Sequence, residues 1–159
     1  MNKELLGSLV NQVIKVDRGG PENNIGMLLG AGEDHITILT ENDGIIYYKT
    51  QHIKSLTHDS KGGLEFNTVI PENFEYVKGE DFKSVLGSLR YQWVQINRGG
   101  PEKLEGVLDS VTDDYLTIIL NEEVIRVSTF HIRSISYGLK IEKEAAEDVT
   151  EKESNEKKQ

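Results

Sequence analysis

Apolar positions in this chain fall into two spacings, and the two follow one another in the same order twice. Leu5, Leu6, Leu9 and Val10 sit at helical spacing near the start, and Phe82, Val85, Leu86 and Leu89 do so again about eighty residues on, which predicts a short helix in each place. Behind each helix come short apolar or alternating runs bounded by Gly, Asp, Asn or Pro, the pattern of brief strands. The first set is Val13 to Val16, Gly26 to Leu29, Ile36 to Leu39, Ile45 to Tyr48 and Ile53 to Leu56. The second is Trp93 to Ile96, Gly106 to Leu108, Tyr115 to Leu120, Val124 to Val127 and Ile132 to Ile135. Five short, twisted strands in a set close most easily as a small barrel.

The two sets are similar in sequence as well as in pattern. Arg18-Gly19-Gly20-Pro21-Glu22 returns as Arg98-Gly99-Gly100-Pro101-Glu102, and His52-Ile53-Lys54-Ser55 as His131-Ile132-Arg133-Ser134. Sliding residues 6–56 against 86–135 gives about twenty identities in roughly fifty positions. One residue is lost at the last hairpin. Asp43-Gly44 provides the positive φ of a tight turn in the first copy, whereas Asn121-Glu122-Glu123 must turn differently. The predicted fold is therefore mainly β: two tandem five-stranded barrels, residues 1–57 and 80–139, each opened by a short helix. Residues 58–79 form a partly packed linker, with an extra strand expected from Leu64 to Ile70 and ended by Pro71. Residues 140–159 have no aromatic residue and are rich in Glu and Lys, which predicts a disordered tail.

Composition narrows the function. No cysteine is present, which excludes disulfides and thiolate metal sites. Of the net charge of −9, the last twenty residues carry −2 (five Lys against seven Asp and Glu), so −7 belongs to residues 1–139 and opposes a nucleic acid partner over most of the surface. No apolar run reaches the ~20 residues of a membrane span, and the opening MNKELLGSLVNQ lacks the apolar core of a signal peptide, so synthesis in a cytoplasm is expected.

The recurring words are the candidate sites. In the RGGPE loops the glycines reach backbone angles closed to other residues, and the proline biases the glycine before it toward an extended form. Arg18 or Arg98 with glycine amides could hold an anion; the alternative is a rigid turn whose Arg and Glu pair with each other or with a neighbour, which the adjacent Glu and the acidic body favour. His52 and His131 could bind metal or act as bases, but no other ligand recurs at metal spacing, and an imidazole hydrogen-bonding the backbone at a strand end is the simpler role. Asp34 and Asp114 read as turn formers, and Tyr47, Tyr48, Tyr115, Tyr137 and Trp93 as sheet packing in preference to a base-stacking platform. No phosphate loop, carboxylate pair or nucleophile motif is found; the expectation is a protein without catalytic residues, cofactor or metal.

A helix followed by five strands, with Gly26 and Gly106 opening the second strand and Asp34 and Asp114 before the third, resembles the Sm-like fold. Sm-like RNA binders carry an asparagine where Thr37 and Thr117 stand here and an Arg-Gly pair where His-Ile-Lys/Arg-Ser stands, so the resemblance implies the barrel and not the RNA site. RGGPE, the aspartate turn and HIKS or HIRS combined in one unit are similar to the spore coat protein B family of endospore-forming Bacillus relatives, over nearly all of residues 5–138. That resemblance implies a non-enzymatic component of the spore coat, made in the mother cell, with other spore coat proteins as partners and self-association open. Longer members end in a phosphorylated Ser, Lys and Arg-rich tail; this chain ends with Ser154 as its one tail serine. The interaction residues expected on this reading are Arg18, Gly19, Gly20, Pro21, Glu22, Arg98, Gly99, Gly100, Pro101, Glu102, His52 and His131, with RNA binding as the runner-up.

Overall fold

The computed structural model describes residues 1–72, 74–98 and 100–137. Helix α1 (Lys3–Ser8) starts where the Asn2 side chain accepts the Glu4 N–H at 2.7 Å. Strands β1 (Val13–Val16), β2 (Asn24–Ala31), β3 (His35–Thr40), β4 (Gly44–Lys49) and β5 (Leu56–Thr57) follow. Helix α2 (Phe82–Ser88), capped by Asp81, opens the same order again, with β6 (Trp93–Ile96), β7 (Leu104–Val111), β8 (Tyr115–Leu120), β9 (Glu123–Ser128) and β10 (Ser134–Tyr137). Both helices and the mainly β character agree with the sequence pattern.

The strands do not form two separate closed barrels. All ten belong to one open antiparallel sheet in the order β5-β1-β2-β3-β4-β10-β6-β7-β8-β9. Its centre is the ladder of β4 against β10, with Ser134 opposite Tyr48, Ile135 opposite Tyr47 and Ser136 opposite Ile46. The reason lies in β4, a continuous apolar run with a buried residue on each side of the pleat. Ile46 and Tyr48 enter a core with Leu6, Leu9, Ile14, Val16, Leu28, Ile36 and Ile38. Ile45 and Tyr47 face the other way, into the core built by α2 and the second strand set.

The segment from Leu64 to Ile70, expected as a strand, has no ladder among the described residues. Phe66, Ile70, Phe74, Tyr76 and Val77 instead pack on the second core, so this segment contributes side chains without backbone pairing. The last strand of each set also begins later than its apolar run. A 3₁₀ turn occupies Thr50–His52 and Thr129–His131, and Asp17 and Asn97 then catch the backbone: Lys54 N–H donates to Asp17 Oδ1 and Arg133 N–H to Asn97 Oδ1, each at 2.8 Å. Strand two is longer than expected, because a bulge between Leu28 and Gly30, and again between Leu108 and Ser110, interrupts the alternation without ending the pairing. Gly44 has the positive φ expected of it (63°), and in the second hairpin Asn121 takes that conformation (55°). The expected tail, residues 140–159, lies outside the described residues.

Tyr47 and Tyr48 are 0% and 2% exposed, and their hydroxyls donate to the carbonyls of Val77 and Glu22. Burial pushes both phenols above the usual tyrosine value of 10.0, chiefly by desolvating the anion. A proton held more tightly in the folded state means that this contribution to stability is whole below pH 10 and is lost as pH rises beyond it. Denaturation from about pH 9 to about pH 11 should show a falling Tm and an unfolding free energy that drops by about 1.4 kcal/mol per pH unit for each tyrosine once past its unfolded pKa. A Tyr47→Phe, Tyr48→Phe variant should lose most of that slope; an unchanged slope would assign it to other groups.

Candidate functional site

The two recurring words of the sequence meet at the joint between β4 and β10. Gly20 and Gly100 hold φ of 84° and 81°, which turns each RGGPE loop so that Asn23 N–H and Lys103 N–H close back on their carbonyls. Glu22, leaving the first loop, is 5% exposed. Its Oε1 accepts the backbone N–H of Arg98, from the second loop, at 3.0 Å, and its Oε2 accepts the Ser134 hydroxyl at 2.8 Å. The Arg133 guanidinium lies 3.6 Å from the same carboxylate. Arg98 reaches in the opposite direction, pairing with Asp43 in the first hairpin and donating to the Asn23 carbonyl at 3.3 Å.

The anion this loop accepts is therefore the chain's own. The Arg98 N–H that could face an external phosphate or carboxylate is occupied by Glu22, and its guanidinium by Asp43. Lys49 strengthens the same joint: its N–H donates to the Arg133 carbonyl at 3.0 Å and its ammonium to the Thr129 carbonyl, while the cation lies 5.2 Å from the Phe82 ring centre. Burial lowers the pKa of this lysine, opposed by the charge of Asp34.

The equivalent residues of the other copy stand in water. Arg18, Gly19, Gly20 and Pro21 are exposed, as are Gly100, Pro101 and Glu102; Gly99 lies outside the described residues. Glu22 and Glu102 share a place in the repeat but have opposite surroundings, one buried at the joint and one on the surface. The histidines also differ. His52 Nε2 lies 3.2 Å from the Phe130 carbonyl across the joint, a backbone contact made from a 3₁₀ turn. His131 is exposed, its ring edge-on to Phe130 at 5.1 Å. Among the described residues no group of three or more His, Asp or Glu is placed to hold a metal ion, and no helix is long and apolar enough to cross a membrane. Asp34 ties the halves together, its Oδ1 accepting the Phe82 N–H at 2.7 Å at the start of α2.

Sequence reasoning missed Asn97 and Asp43 as parts of this joint, and Asp17 as the residue that catches the strand end at the outer edge of the first half. Asp17 and Asn97 recur at an offset of eighty with φ of 55° and 50°, and an Asp/Asn pair before Arg-Gly is a signal for the left-handed conformation. Asp43 carried no such signal, because its partner comes from the other copy.

The chain is 40% identical over 137 residues, 86% of its length, to spore coat protein B of Bacillus subtilis (strain 168). The chain is related to the spore coat protein B family. It spans 35% of the length of that relative. No protein-family model matches it.

Proposed function

We propose that this chain is a structural, non-enzymatic component of a bacterial spore coat that acts by binding other proteins. The observation that carries this reading is the 40% identity to a spore coat protein across 86% of the chain. The fold supports it in a negative and a positive way. Among the described residues, the buried polar groups of the joint are engaged with one another in stabilising contacts, an arrangement suited to architecture. The surface keeps one exposed RGGPE arginine, Arg18, and one exposed RGGPE glutamate, Glu102.

The halves, residues 1–57 and 80–139 with the connector 58–79, act on this proposal as two barrel-like interaction units held by one joint. Each gathers a core of its own, although Leu39, Ile45 and Tyr47 of the first half belong to the second core. Two binding faces on one chain raise avidity through effective concentration without strong single contacts. Arg18 and Glu102 replace the complete pair of loops as the residues expected to meet partners, since Arg98 and Glu22 are committed internally. A fluorescent fusion followed through sporulation tests the reading: signal should gather as a shell around the forespore. Diffuse fluorescence in the mother cell throughout sporulation would overturn it.

A further inference from the structure

The joint between the two halves is heterologous. The first set contributes its fourth strand, its loop glutamate and its hairpin aspartate; the second contributes its fifth strand, its loop arginine and the Arg133-Ser134 pair. In a chain whose two halves are similar, such a joint leaves the opposite parts at the two ends. The fifth strand of the first set, β5, ends the sheet on one side, and the fourth strand of the second set, β9, ends it on the other. We propose that copies of this chain join head to tail, β9 of one copy pairing with β5 of the next in the geometry that β4 and β10 already use.

Three observations favour a second copy as the occupant of these edges. The first is register. Ser134 and Ile135 lie opposite Tyr48 and Tyr47, and the residues at the same places of the repeat are Ser55, just before β5, and Leu56 on β5, with Val127 and Arg126 on β9. Just before β5 the Ser55 carbonyl is turned inward, accepting Asp17 N–H at 2.8 Å, so antiparallel alternation turns the Leu56 N–H and C=O to the open side, as the same alternation turns Ile135 toward β4. The second is charge. The end carrying β9 presents exposed Glu102, Glu122 and Glu123 beside exposed Lys103 and Arg126, and the end carrying β5 presents exposed Arg18 and Lys54; Glu102 stands at the place of Glu22, Glu122 and Glu123 at the hairpin place of Asp43, and Arg18 and Lys54 at those of Arg98 and Arg133. The third is shape. Beside β9 runs a groove of about 760 Å³ lined by Pro101, Glu102, Lys103, Ile125, Arg126 and Val127 among others. Pro21, Glu22, Asn23, Ile46, Tyr47 and Tyr48 occupy the same places at the filled joint. Val124 at the strand's start is 53% exposed, whereas Ile45 in the same place on β4 is 9% exposed.

The outer joint is weaker than the inner one. Val127 lacks the hydroxyl with which Tyr48 reaches the Glu22 carbonyl, and Ser128 lacks the ammonium of Lys49. Association should therefore rise with concentration, and a heterologous contact makes rings if its rotation closes and filaments if it does not. The inference extends the proposed coat role by naming a second copy as one partner, but its evidence is the sheet itself.

The native chain has no cysteine, which makes the test direct. Thr57 and Ile125 fall opposite one another in the proposed pairing, at a position without ladder hydrogen bonds, where a disulfide fits. Full-length Thr57→Cys and Ile125→Cys chains, mixed and oxidised, should give a crosslinked heterodimer, while Thr57→Cys with Val124→Cys, one residue out of register, should give little. The unaltered chain in sedimentation velocity should gain mass on a tenfold rise in concentration. An unaltered chain that stays monomeric, or crosslinks that favour Ile125→Cys with itself, overturns the proposal. A fusion that still encircles the forespore in that case leaves the coat reading intact; self-association with diffuse fluorescence sinks the coat reading alone.

Discussion

Glu22→Ala should cost about 3 kcal/mol of unfolding free energy, and Glu102→Ala, the same change at the same place of the repeat, less than about 0.5 kcal/mol. The carboxylate of Glu22 is 6% exposed and holds the Arg98 N–H and the Ser134 hydroxyl, the latter on a residue 0% exposed. Truncation leaves both donors without this acceptor, the Ser134 hydroxyl in a place closed to water, which carries most of the cost. The Arg133 guanidinium adds less, since its side chain is 35% exposed and screened by solvent. Glu22→Gln keeps one acceptor oxygen and loses the charge, so it should fall between the two. Urea denaturation of the three variants reads the differences as shifts in midpoint at constant slope. Equal losses for Glu22→Ala and Glu102→Ala would mean that the joint contributes nothing beyond what each loop does alone.

That contrast shows what a single sequence can and cannot reveal in a duplicated chain. Local elements were legible, because spacing is a local property: Leu5, Leu6 and Leu9 mark α1, Phe82 to Leu89 mark α2, and the apolar runs mark the strands. The strand ends that shifted were those decided by contacts distant in sequence, as where Asp17 holds the backbone of Lys54, thirty-seven residues on. The union of the two sets into one sheet was harder to read. Its signal was present in the run Ile45-Ile46-Tyr47-Tyr48, apolar on both faces, against Val124-Ile125-Arg126-Val127, where an arginine interrupts the run. A doubly apolar strand needs cover on two sides, and a five-stranded unit standing alone gives it only one. Repetition by itself marked RGGPE and HIRS as important without distinguishing a doubled site from two halves of one contact. Burial distinguishes them: Glu22 and Arg98 are at the joint while Arg18 and Glu102 are exposed, so the repeat encodes a connection made once inside the chain.

The second large effect lies within each half. Gly26→Ala and Gly106→Ala should each destabilise the fold by about 3 kcal/mol, by forcing apart two strands that approach too closely for any side chain. A Cβ on Gly26 would stand 2.5 Å from the Leu39 carbonyl oxygen and 3.1 Å from its carbon. On Gly106 it would stand 2.6 Å from Ile118 Cγ2 and 2.7 Å from the Ile119 carbonyl oxygen. Backbone of the neighbouring strand cannot rotate away as a side chain can, so β2 must separate from β3, or β7 from β8. Glycine itself is not the liability, which Gly87→Ala shows by contrast: with no atom within 4 Å of the new Cβ and a helical setting in α2, it should be neutral or stabilising by about 0.5 kcal/mol. Because Leu39 and Tyr47 of the first half are part of the second core, loss of the β2–β3 contact should weaken both halves together. Gly26→Ala should then unfold in a single transition at a lower midpoint, with tryptophan fluorescence from Trp93 in the second half coinciding with circular dichroism of the complete chain. Two separated transitions, with the Trp93 signal unmoved, would show that the joint holds two independently stable units.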